Sequence, residues 1–128
     1  MTKENKELLM KDLSSRIPYG VFVKIDGMPN AKLTSVSWYG EVGVDDDSNY
    51  LYPISEVKPY LFPLSSMTKE QEKEYEETLG VVINIDDGTV FEEDKTEHTL
   101  DWLNKNHFDY RWLIEDGLAL DATDLNIY

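Results

Sequence analysis

The chain contains no cysteine. Disulfides, thiolate zinc sites and thiol nucleophiles are therefore excluded, and a reducing, cytoplasmic setting is expected. No apolar run approaches the roughly 20 residues that a membrane-spanning helix needs. The opening residues, Met1 to Glu7, carry charges of both signs and no apolar core of the signal-peptide kind. There is no glycine-rich phosphate loop with its lysine, and no glycine-flanked elbow surrounds Ser14 or Ser15. Basic residues are scarce: 12 Lys and Arg stand against 26 Asp and Glu, a net charge of −14.

The charge is also uneven. Met1 to Met67 holds 7 basic and 9 acidic side chains, whereas Thr68 to Tyr128 holds 5 and 17. Such a field repels nucleic acid and anionic membranes within about a Debye length. Neither is an expected partner, and a basic protein is. The length of 128 residues, with 41% hydrophobic residues, reads as one domain, 1–128, able to bury its own core.

The densest apolar stretch runs from Tyr50 to Met67. Pro53, Pro59 and Pro63 forbid a helix there, because each lacks an N–H and clashes with the preceding turn. The stretch is expected as extended chain in two pieces. Before it, Lys3 to Ser14 has helical spacing, with Leu9 and Leu13 inward, and ends ahead of Pro18. Ile17 to Ile25 alternates as a strand, and Lys32 to Val44 reads as a second strand region bent at Gly40 or Gly43. After it, Thr68 and Gln71 form a capping box for a helix whose thin apolar stripe is Tyr75 and Leu79. Val81 to Phe91 reads as a hairpin turning at Asp87-Gly88. A third helix spans Thr96 to Lys105, with Leu100 and Leu103 inward. Asp109 caps a short helical turn from Tyr110 to Asp116, and the tail after Leu120 is expected to fray. The fold class is α+β: an N-terminal helix, a small twisted antiparallel sheet of the SH3-like half-barrel kind, and an acidic helical C-terminal half with a hairpin.

Two stretches, Asp12-Leu-Ser-Ser-Arg-Ile-Pro-Tyr-Gly-Val21 and Lys58-Pro-Tyr-Leu-Phe-Pro-Leu-Ser-Ser-Met-Thr68, and a third, Trp102-Leu-Asn-Lys-Asn-His-Phe-Asp-Tyr-Arg111 continuing to Gly117-Leu-Ala-Leu120, carry a resemblance. Together they resemble a family of small proteins from gut anaerobes, their phages and mobile elements. The resemblance implies that setting and transfers no activity. The relatives have glycine where this chain has Trp112.

Several groups of residues are candidates for function. Glu70, Glu72, Glu74, Glu76, Glu77, Glu92, Glu93 and Asp94 are expected to bind a basic partner, in the sharpest form by imitating a row of phosphates and inhibiting a host defence factor. Glu70, Glu74 and Glu77 share one helical face. Trp38, Tyr39, Tyr52 and Tyr60 are the candidate lining of an aromatic groove for a nucleotide or other small molecule, the alternative function. His107, Asp109, Arg111 and Trp112 form the richest polar cluster. Its simplest reading is structural, with His107 and Arg111 bonding backbone carbonyls and Arg111 pairing locally with a carboxylate. Asp45, Asp47, Asn49 and Glu56 have the spacing of calcium-loop positions, but Tyr50 stands where that loop needs glycine, so they read as a solvated turn. His98 and His107 lack a third ligand at zinc spacing. No catalytic residue, metal or cofactor is expected.

Overall fold

The computed structural model describes residues 1–46, 48–78, 81–83, 90–92 and 96–128, with backbone only at 81–83, 90–92 and 96. The fold is α+β. Helix α1, Lys3–Arg16, starts at Thr2, whose hydroxyl accepts from the Asn5 N–H at 3.1 Å. It buries Leu9 and Leu13 completely. A 3-10 turn over Ile17–Tyr19 follows and is closed by Gly20 at φ +78°, a left-handed conformation that costs glycine little. The strand expected from Ile17 therefore begins later, as β1, Phe22–Ile25. The alternation survives: Val21, Val23 and Ile25 are buried, and Phe22 and Lys24 are half-buried.

The single region expected at Lys32 to Val44 is a hairpin of two strands, β2, Ala31–Val36, and β3, Glu41–Val44. Gly40, at φ +90°, makes the turn rather than a bend within a strand, and the Lys6 side chain fills the space a Cβ there would need. Gly43 sits opposite the register shift between Leu33 and Ser35. The proline-rich stretch then supplies β4, Tyr52–Pro53, a 3-10 turn over Ile54–Glu56, and β5, Val57–Pro63. Helix α2, Lys69–Thr78, carries the expected capping box: the Gln71 N–H donates to the Thr68 hydroxyl at 3.1 Å, and the Thr68 N–H donates to Gln71 Oε1 at 2.9 Å. Strands β6, Val81–Ile83, and β7, Val90–Glu92, pair antiparallel as a separate ribbon. Leu79 and the Asp87-Gly88 turn lie outside the described residues. Helix α3, Thr96–Lys105, precedes the short strands β8, Phe108–Asp109, and β9, Leu120–Asp121. Among the described residues no helix is long and apolar enough to cross a membrane.

The main sheet is open and mixed, a departure from the antiparallel sheet expected. Strands β4, β3, β2, β1 and β5 are antiparallel in that order, and β5 pairs parallel with both β8 and β9. The Leu61 carbonyl accepts from the Ala122 N–H at 2.8 Å, while the Phe62 N–H donates to the His107 carbonyl at 2.8 Å. Those two groups of β5 belong to one trans peptide and point to opposite edges, so β9 and β8 flank β5 on opposite sides. Helix α1 covers the sheet, and Leu9, Leu13, Val23, Leu33, Val42, Ile54, Leu61 and Leu113 form one buried cluster with their neighbours.

The tail does not fray. The Tyr128 hydroxyl accepts from the Phe22 N–H at 2.9 Å and donates to the Tyr60 carbonyl at 2.7 Å. By extension of the β1–β5 register, Phe22 and Tyr60 stand opposite each other. The phenol thus bridges the ladder where the two strands part. Burial, the main cause, pushes its pKa up to about 12. Replacing Tyr128 with Phe keeps the ring and removes the bridge, so urea denaturation should show a loss of about 1 kcal/mol with an unchanged circular dichroism spectrum. Unaltered stability would remove the bridge from the account.

Candidate functional site

Asp12 and Arg16 lie one turn apart on α1 and both are fully buried. Arg16 Nε and Nη2 donate to the two Asp12 oxygens at 2.9 and 3.1 Å, and Nη2 also donates to the Phe108 carbonyl at 2.7 Å. Arg111 Nη1 reaches the same carboxylate, donating to Asp12 Oδ1 at 2.7 Å. Arg111 therefore pairs across 99 residues of chain rather than locally as expected. Both guanidinium groups flank the Tyr110 ring, at 5.3 Å for Arg16 and 4.5 Å for Arg111. The Tyr110 hydroxyl donates to Asn104 Oδ1 at 2.9 Å, which joins α3 to the network.

Asp109 is a cap, as its position implies, but of a turn that is not a helix. Its carboxylate accepts from the N–H groups of Arg111, Leu113 and Ile114 at 3.3, 3.0 and 2.9 Å. The helical turn expected from Tyr110 is broken by Trp112, whose φ is +60°. That is a left-handed conformation in which a bulky side chain is strained and glycine is not. The Trp112 side chain is 57% exposed, so packing does not repay the strain.

His107 also has a left-handed backbone, φ +62°, and this stops α3. Its ring stacks on Tyr128 at 3.7 Å between centroids, and its Nδ1 is buried with no partner among the described residues. Among those residues its side chain bonds no backbone carbonyl. Instead its own carbonyl accepts from Phe62. Burial first, and the Arg16 charge second, pull the His107 pKa down to about 4. The ring is therefore neutral at pH 7.

The acidic candidates are divided by their setting. Glu70, Glu72, Glu74, Glu76 and Glu77 all lie on α2 and are all exposed. Among the described residues the ion pairs are those of Asp12 with Arg16 and Arg111, and none involves these glutamates. The helix is seated by Tyr75, whose ring meets Trp102 of α3 at 5.7 Å; Trp102 in turn stacks on Phe108 at 5.6 Å and 13°. Glu74, Glu77, His98 and Trp102 line an open cleft of about 440 Å³ between α2 and α3. Glu93 and Asp94 lie outside the described residues, and Glu92 is described in its backbone alone. Leu100, expected inward on α3, is 36% exposed, whereas Leu103 is buried.

The aromatic candidates do not gather into one groove. Trp38, 88% exposed, and Tyr39 meet edge to face at the β2–β3 turn, beside the first turns of α1. Tyr52 packs on Tyr50 and donates to Asp46 at 2.6 Å. Tyr60 is buried, with its hydroxyl on Asn30 at 2.7 Å. Asp45 accepts from the Lys32 N–H across the end of the β2–β3 ladder, and Asp46 accepts from Ser48 within its own turn. Asp47 lies outside the described residues, and among those described no group of three or more His, Asp or Glu is placed to hold a metal.

Comparison with known proteins found no matching family model, curated protein or solved structure. The residues that sequence reasoning missed are Asp12, Arg16 and Asn104. The one local signal was the four-residue spacing of Asp12 and Arg16 on a helix.

Two outcomes follow from this geometry. Asp12→Ala leaves two cations around an empty position, Arg16 fully buried, and should cost about 3–5 kcal/mol in chemical denaturation. A loss under 1 kcal/mol would show the pairing to be incidental. For His107, the folded pKa lies below the unfolded one, so the unfolded chain binds more protons between them. Stability should therefore fall as pH drops from about 6.5 to about 4. The partly exposed ring tempers the effect. His107→Asn, which tolerates the left-handed backbone, should flatten that part of the profile measured against the unaltered protein.

Proposed function

We propose that this chain is a non-enzymatic binding protein whose acidic α2–α3 face occupies a basic surface on a partner protein, as a nucleic-acid mimic of phage or mobile-element type that inhibits a host defence factor. The observation that carries the reading is the row of α2 glutamates, exposed and without an ion-pair partner among the described residues. Helix α2 holds 5 glutamates in 10 residues. Counted along the axis at about 1.5 Å per residue, this is one carboxylate per roughly 3 Å, spread over two stripes of the helix, a linear charge density like that of one DNA strand, with one phosphate per about 3.4 Å of axis. Sequestration of a small molecule on an aromatic sheet groove has less support, because Tyr60 is buried away from Trp38 and Tyr39.

The test is affinity purification from the host cell at low and high salt, with a variant carrying Gln at positions 70, 72, 74, 76 and 77. The expected result is a basic partner captured at low salt, released at high salt, and lost with the Gln variant while its circular dichroism is retained. Capture that survives both the salt and the replacement removes charge mimicry.

A further inference from the structure

A second cleft, of about 520 Å³, opens where the end of α1, α3 and the Tyr110–Arg111 segment meet. Its size falls within the range of small-molecule sites, roughly 300–1,000 Å³. None of the α2 glutamates lines it, so it is separate from that row of carboxylates. Its walls are mainly apolar and aromatic, from Pro18, Tyr19, Leu100 and Tyr110. Leu100 is the residue that helical periodicity turned inward and that the fold leaves at the surface; here it has a wall to form.

The polar groups of the cleft are of both signs. Arg111 lines it, and its Nη1 is committed to Asp12 and, at 3.5 Å, to the Ser15 hydroxyl. Its Nε and Nη2 have no protein partner among the described residues, and the guanidinium lies over the Tyr110 ring at 4.5 Å. A guanidinium held in this way presents a forked donor that fits a carboxylate. Glu97 and Asp101, both exposed on α3, supply two carboxylates to the same cleft. The Tyr19 phenol stands beside Asp101; burial, then that neighbour, raise its pKa and keep it protonated as a donor.

A simple anion would meet the two carboxylates, and a simple cation would meet Arg111. We propose that this cleft binds a small zwitterion with an apolar side chain, of the free amino-acid class, its carboxylate on Arg111, its ammonium on Glu97 and Asp101, and its side chain against Leu100, Pro18 and Tyr110. Nucleotides are disfavoured, because their phosphates face two carboxylates within a chain of net charge −14.

The test is calorimetric titration and thermal shift with L-phenylalanine and L-leucine. L-phenylalaninamide, which lacks the carboxylate, N-acetyl-L-phenylalanine, which lacks the ammonium, and AMP serve as comparisons. The expected result is binding of the two amino acids with a raised Tm, at least about tenfold weaker binding of both capped forms, and none of AMP. Leu100→Trp fills the cleft from an exposed position, so it should abolish binding and leave the unliganded Tm in place. Asp101→Asn should weaken the amino acids and leave the N-acetyl form unaffected. No binding of either amino acid at millimolar concentration overturns the proposal. So does binding that persists in Leu100→Trp, or AMP binding more tightly than the amino acids.

Discussion

One carboxylate is shared by two arginines, and the arrangement of the chain ends depends on it. Asp12 is fully buried and accepts from Arg16 and Arg111. A charge in that position persists only if it is paired, and the partners come from opposite ends of the sequence. Arg16 makes a third bond to the Phe108 carbonyl, at the start of β8. The neighbouring His107 carbonyl takes the Phe62 N–H of β5. A single buried acid thus sets where α1 ends, where β8 lies and how the proline-rich strand is flanked. Helix α1 could dock by Leu9 and Leu13 alone, but those side chains are non-directional and fix no register with the C-terminal segment.

A chain of aromatic rings carries that placement outward to the acidic helix. Phe22 meets Tyr128 at 5.6 Å, Tyr128 meets Phe62 at 5.8 Å, and Phe62 meets Phe108 at 6.3 Å. Phe108 stacks on Trp102, and Trp102 meets Tyr75. No α2 residue is fully buried, so the helix has little core of its own. It is oriented by Tyr75 at the end of this series, by the Thr99 hydroxyl donating to the Thr78 carbonyl at 2.8 Å, and by the Trp102 Nε1–H donating to Glu74 at 3.4 Å. Offset and tilted ring pairs each add about 0.5–1.5 kcal/mol beyond their buried area, enough to seat a helix of 10 residues that is marginal alone.

The elements legible in the sequence were those with local causes. The capping box at Thr68 and Gln71 needs only its own turn, and the breaks at Pro53 and Pro63 follow from a missing N–H. What stayed hidden depended on contacts distant in sequence or on backbone angles no pattern announces. Arg111 beside Asp109 looked like a local pair until folding brought Asp12 to it. Trp112 has an ordinary side chain for a helix and a backbone angle that forbids one, so the turn after Asp109 was misread as helical. Glycine is the residue such an angle favours. Tyr128 belonged to a polar tail by composition, but its hydroxyl satisfies two backbone groups of strands that are themselves far apart in sequence. Leu100 had the right periodicity, but it lies where α3 borders an open cleft rather than the core.

The distribution of charge around α2 bears on which carboxylates matter most. At about 100° per residue, Glu70, Glu74 and Glu77 form one stripe, Glu72 and Glu76 a second, and Lys69 and Lys73 lie between them. The lysines therefore dilute the centre of the exposed face and leave its flanks negative. The two flanks are not equivalent. Glu74 and Glu77 border the open cleft between α2 and α3, and Glu74 accepts from the Trp102 Nε1–H at 3.4 Å. The Glu72 and Glu76 flank has no such backing among the described residues, and a cation there interacts through water. Helix α2 is thus a two-sided charge array, and its α3 side is tied through Trp102 to the aromatic series and, through Phe108, to the buried arginine.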